Sequence, residues 1–91
     1  MYTLYVGAQF RKDYKRYRRN TKFNQAELEK VFDALQRGVV LGAKYQNHKL
    51  VGKFVGCYEC HVQPDVLLVY HINQQVSRID IVRLGSHAEL F

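Results

Sequence analysis

Nine consecutive residues, Cys57-Tyr58-Glu59-Cys60-His61-Val62-Gln63-Pro64-Asp65, hold most of the side chains in this sequence that are suited to chemistry. Cys57, Cys60 and His61 spell C-x-x-C-H, the attachment signature of c-type haem, and the same atoms could open a zinc site. Glu59, His61 and Asp65 form a different set, two carboxylates and an imidazole able to exchange protons near neutral pH. The thiol readings need Cys57 and Cys60 on one side of the chain. The acid–base reading needs alternate residues there instead.

Strand phasing separates them. The run Phe54 to Val62 has β-type composition, and in an extended strand Cys57, Glu59 and His61 point one way while Tyr58, Cys60 and Val62 point the other. Diverging thiols cannot share a porphyrin edge, and the only methionine, Met1, leaves no usual second axial ligand. For zinc there is no second C-x-x-C. His48, Cys57 and His61 remain a possible convergent set, since cytosolic thiols stay reduced and free to bind metal. The simpler alternative for Cys60 is a small hydrophobe facing inward.

The acid–base reading draws on residues elsewhere. His48, His61 and His87 are expected in loops or at strand ends, whereas His71 lies in an apolar run and is expected at the core or sheet edge. Metal-free RNA cleavage needs a base for the ribose 2'-hydroxyl, an acid for the leaving 5'-oxygen, and cationic donors for the charge that builds on phosphorus. Histidine–carboxylate pairs supply the first two, and Arg83, near the end of the last predicted strand, is a candidate for the third. Blander roles exist for each: a cross-strand ion pair between Glu59 and Arg83, and Asp65 as a turn former beside Pro64.

These residues need a scaffold. Tyr2, Leu4 and Val6 alternate as in a half-buried strand. After Gly7, Phe10, Tyr14 and Tyr17 recur at helical spacing, with Arg11, Lys12, Lys15, Arg16, Arg18 and Arg19 over much of the remaining surface, predicting a basic amphipathic helix that ends near Asn20. Asn24 and Glu27 have capping-box spacing ahead of an apolar stripe of Leu28, Val31, Phe32 and Leu35, and Gly38 is placed to close this second helix. Two helices joined so closely should pack antiparallel. Beyond residue 50, runs Phe54 to Val62, Val66 to Ile72 and Val76 to Leu84, separated by Gln63-Pro64-Asp65 and Asn73-Gln74-Gln75, predict an antiparallel meander with Val66–Tyr70 as a strand buried on both faces. The expectation is one α+β domain over residues 1–91, of order β-α-α-β-β-β, with its helices on one side of the sheet.

The bulk properties fit one small domain. A chain of 91 residues has room for a single core, and 47% hydrophobic residues argue against disorder. Fourteen Lys and Arg against eight acids give a net charge of +6, which favours polyanions or acidic proteins as partners. No apolar run reaches the roughly 18 residues of a membrane span, and the first residues lack a charged export region, so the cytoplasm is the expected compartment.

Tyr45-Gln46-Asn47-His48, Leu50, Gly52, Glu59-x-His61-Val62-x-Pro64-Asp65, Leu68-x-Tyr70 and Arg83-Leu84-Gly85-Ser86-His87-Ala88-Glu89-Leu90-Phe91 together resemble the YafQ branch of the RelE toxin superfamily. The motifs cover about half the chain; the first half agrees in pattern alone. The resemblance implies the toxin of a type II toxin–antitoxin pair, an endoribonuclease that cleaves messenger RNA, usually on the ribosome, leaves a 2',3'-cyclic phosphate and a 5'-hydroxyl, and needs no metal or other cofactor. It ties His48, Glu59, His61, Asp65, Arg83, His87 and Phe91 to the active site. His87 is then expected as general acid and His48 or Asp65 as base. His61 and Glu59 would orient neighbouring groups, Arg83 would hold phosphate, and Phe91 would pack on the catalytic histidine or stack on a base. The basic helix would face ribosomal RNA or an acidic antitoxin. Three positions depart from the family pattern: Tyr58 and Val66, where many relatives have Arg and Trp, and Glu59, where the best-known members have Asp. The alternatives that stay open are a non-catalytic RNA- or antitoxin-binding protein and a small zinc- or haem-binding protein through Cys57, Cys60 and His61.

Overall fold

The apolar run around Leu68 becomes the middle of a five-stranded sheet. In a computed structural model, which describes residues 1–91, β1 (Thr3–Val6), β2 (His48–Lys49), β3 (Tyr58–Gln63), β4 (Val66–Asn73) and β5 (Arg78–Gly85) lie in the order β1-β5-β4-β3-β2. β4 runs antiparallel to both β3 and β5, and β1 lies parallel to β5, so the sheet is mixed. Val66 to Tyr70 are all buried, as a strand covered on both faces requires.

Helices α1 (Ala8–Tyr17) and α2 (Gln25–Arg37) cover one face. Phe10, Leu28, Val31 and Leu35 meet Cys60, Val62, Leu68, Tyr70, Ile79, Ile81 and Leu84 there in the main core. The two helices are antiparallel: Phe10 near the start of α1 packs on Phe32 of α2, and Tyr14 hydrogen-bonds Gln25 at the start of α2. A smaller core on the opposite face, Leu67, Val69 and Leu90 with Leu50, Phe54, Cys57 and Val82, lies under the 50–57 loop and a short C-terminal helix, α3 (His87–Leu90).

Both predicted ends of α2 form where the sequence places them. Asn24 Oδ1 accepts the Glu27 N–H, and Gly38 closes the helix with φ +68°. Only half of the capping box forms, because the Glu27 carboxylate takes Lys44 and Tyr45 while Asn24 N–H donates to Gln63 Oε1. That exchange fastens the helix to the end of β3.

The α+β class stands, but the expected β-α-α-β-β-β order with helices on one side is not met: β2 and α3 are added, and α3 packs through Leu90 on the other face of the sheet. Boundaries also move. The strand expected from Phe54 begins at Tyr58, since Gly52 and Gly56 take φ of +73° and +92° and keep the preceding loop out of an extended path. The strand expected from Val76 begins at Arg78, after a 3-10 turn over Gln74–Val76 and a left-handed Ser77. The first helix ends at Tyr17 and not near Asn20, whose side chain accepts Lys22 N–H and turns the chain toward α2.

Candidate active site

Sheet register aligns the candidate residues. His48 lies opposite Glu59, Glu59 opposite Val69, and Val69 opposite Arg83, a row crossing four strands. The next row on the same face is His61, Leu67 and Gly85. A bulge makes this possible: Val69 pairs with Arg83 and Tyr70 with Ile81, so Val82 has no partner, and Arg83 falls on the face of Val69.

Glu59, only 4% exposed, stands between two imidazoles. Its Oε1 is 3.5 Å from His48 Nε2 and 3.6 Å from His61 Nε2. These exceed formed hydrogen bonds and leave the three side chains in loose contact. His48 Nδ1 lies 2.8 Å from the Gln46 carbonyl, an acceptor only, so Nδ1 carries the proton and Nε2 is left for chemistry. Just ahead of His48, Asn47 accepts a hydrogen bond from Tyr70, whose ring stacks on Tyr58 and fixes the entry to β2. His61 is less open, its side chain 22% exposed against 53% for His48, and its inner Nδ1 has no partner. Beside it a hollow of about 460 Å³ is lined by Lys44, Tyr45, Gln46 and Gln63 among others.

Arg83 does not pair with Glu59. Its Nε and Nη2 donate to Asp13 at 2.7 and 3.2 Å, and the Leu84 N–H donates to the same carboxylate at 3.0 Å. The Asp13 hydrogen bonds push the Arg83 guanidinium further above its ordinary range, which secures its charge. Asp13 escaped the sequence reading, although it sits one turn beyond Phe10 as the lone acid of a basic helix.

His87 opens α3. Ser86 caps that helix in a complete box with Glu89, and the His87 ring packs at 5.1 Å on Phe91, which meets Phe54 edge-on. Glu89 also accepts the Tyr17 hydroxyl and pairs with Arg16 at 3.0 Å, which anchors α3 to α1. Arg16, itself exposed, is therefore paired within the protein, while Arg11, Lys12, Lys15, Arg18 and Arg19 stand exposed without an ion pair. Asp65 lies exposed in the β3–β4 turn and makes no side-chain hydrogen bond or ion pair, so it is not joined to the Glu59 cluster. His71 is half-exposed and pairs with Asp80 at 3.5 Å.

The thiols diverge as phasing requires. Cys60 is buried in the main core and Cys57 packs in the smaller one. No group of three or more His, Cys, Asp or Glu side chains is arranged to hold a metal ion. Burial raises the Cys57 thiol, with Asp80 adding to the effect, so it is no activated nucleophile. Tyr58 packs against the main core, its ring stacked on Tyr70.

Burial pushes the Cys60 thiol up to about 12, from about 9. A raised thiol value favours folding below about pH 9, where both states are protonated; the benefit disappears as the unfolded chain alone ionises between about 9 and 12. Urea denaturation midpoints should hold from pH 7 to about 9 and then fall, less steeply in Cys60→Ala.

Known proteins resemble this chain in sequence and in fold. The family model described as the bacterial toxin of type II toxin–antitoxin system, YafQ, matches residues 2–91. The mRNA interferase toxin YafQ of Escherichia coli strain K12 is 39% identical over 51 residues, 56% of this chain and 53% of that protein, so the matched segment spans about half the length of the curated relative. A metal-bound toxin from Helicobacter pylori superposes over all of both chains with a TM-score of 0.92 and 42% identity. A chain of the E. coli DinJ–YafQ complex does so with a TM-score of 0.87 and 27% identity, over 100% of this chain and 99% of that one. No helix is long and apolar enough to cross a membrane. With the family model matched along nearly its whole length, the chain belongs to the YafQ family of bacterial toxins of type II toxin–antitoxin systems.

Proposed function

We propose that this protein is a metal-independent, ribosome-dependent endoribonuclease that cleaves messenger RNA in the cytoplasm and is held inactive by a cognate antitoxin. The observation that carries the reading is Glu59 set between His48 and His61, in the row that ends at Arg83. His48 Nε2, its ring oriented by the Gln46 carbonyl, takes the proton of the ribose 2'-hydroxyl, and Glu59 stabilises the imidazolium that forms. The freed oxygen attacks phosphorus. Arg83 meets the charge that builds on the phosphate oxygens. As the bond to the 5'-oxygen breaks, His87 donates a proton to it, leaving a 2',3'-cyclic phosphate and a 5'-hydroxyl.

His61 orients the ribose from the second row, and Phe91 steadies the His87 ring and offers a face to a base. Asp65, free in its turn beyond β3, contacts the nucleotide and does not serve as the base. The exposed cations of α1 face ribosomal RNA, and an acidic antitoxin segment covering them would block that contact. The toxin–antitoxin complex solved for the E. coli relative supports such a partner.

Induced expression should arrest growth and create 5'-hydroxyl ends within reading frames, and co-expressed antitoxin should suppress both. Purified protein should cut messenger RNA on translating ribosomes far faster than the same RNA free in solution. Growth without arrest and without new ends would refute the assignment.

A further inference from the structure

Asp13 is 1% exposed and is the only acid in α1. A buried carboxylate is costly unless its oxygens are satisfied, so its place inside a basic helix needs a reason. β1 pairs with β5 only as far as Ile81, so beyond it no strand covers that edge of β5, where the Leu84 N–H meets Asp13. α1 continues past that point and supplies Asp13, which accepts both this N–H and the side-on edge of Arg83. Guanidinium has a second two-donor edge, Nη1 with the other Nη2 hydrogen, which makes no hydrogen bond within the protein. The Arg83 side chain remains 19% exposed.

We propose that Asp13 is the positioning residue of the site, gripping Arg83 by one edge so that the opposite edge is fixed to receive the scissile phosphate. The proposal rests on the nuclease reading above and deepens it. Filling Leu84 N–H takes one acceptor oxygen, which asparagine also offers. Fixing the orientation of a guanidinium takes two acceptors and a charge, which asparagine does not.

Asp13→Asn therefore separates the roles. It should stay folded, with a lowered melting temperature because the largely buried guanidinium loses its counter-charge, and lose roughly ten- to a hundredfold in kcat on ribosome-bound messenger RNA with KM little changed, as loss of an outer partner of a reacting group does. On an Arg83→Ala background the same substitution should cost nothing more. The Nε–H resonance of Arg83 should exchange slowly in the wild type, and should move and exchange rapidly in Asp13→Asn. Wild-type cleavage by Asp13→Asn, or an equal loss on both backgrounds, would overturn the proposal. If the wild-type protein cut no RNA, the nuclease reading would fall by itself, and an unchanged Nε–H resonance in Asp13→Asn would then overturn the grip as well.

Discussion

His87→Ala should slow RNA cleavage by about 10²–10⁴-fold, the usual contribution of a positioned general acid. The fold should survive, because the ring is exposed at the first position of α3 and its main contact is Phe91. The cap of that helix belongs to Ser86 and Glu89, and its buried anchor is Leu90. A substrate with sulfur in place of the 5'-oxygen distinguishes an acid from a mere contact. Sulfur leaves without being protonated, so His87→Ala should cleave it nearly as fast as wild type does. Slow cleavage of both substrates would reassign His87 to binding, and rapid cleavage of ordinary RNA would remove it from the reaction.

The second large effect concerns the scaffold. Leu68, fully buried, pairs with Cys60 on one side and Leu84 on the other, so it occupies the centre of the main core. Leu68→Ala should cost about 2–5 kcal/mol, the lost transfer energy plus the cavity left behind. For a domain of this size that lowers the melting temperature by roughly 10 °C or more. Val40→Ala, at a position 91% exposed, should stay within about 0.5 kcal/mol. Urea titration checks both, with the midpoint moving and the slope constant. Equal midpoints would mean that the core is not organised around β4.

Legibility from sequence tracked the length of the pattern. α2 was readable because its stripe runs over several turns and both ends carry a specific residue, Asn24 and Gly38. The alternation of Glu59 and His61 against Tyr58, Cys60 and Val62 was readable because a strand side has a period of two. β2 was not, since two residues have no period. α3 has only four residues, yet Ser86-x-x-Glu89 is a capping signature that was there to be used. Parallel pairing of β1 with β5 leaves no local mark at all. Asp13 hid among cations: its helical phase with Phe10 and Tyr14 pointed inward, but its charge resembled one more surface residue. Its partner Arg83 carries no sequence mark of this tie: strand pairing offered Glu59 only as an alternative partner, and the tie comes from a helix.

Those ties from α1 span most of the chain. Asp13 and Arg83 are separated by 70 positions and Tyr17 and Glu89 by 72, and β1 must wait for β5 before it can pair. Contacts of such range form late, because closing long loops costs entropy before it is repaid. Segment 48–91 carries His48, Glu59, His61, Arg83 and His87, yet Arg83 and the short helix that begins with His87 are held by the first helix. A chain that has collapsed around β3 and β4 alone would therefore lack both the Asp13 tie to Arg83 and the Tyr17 tie to Glu89.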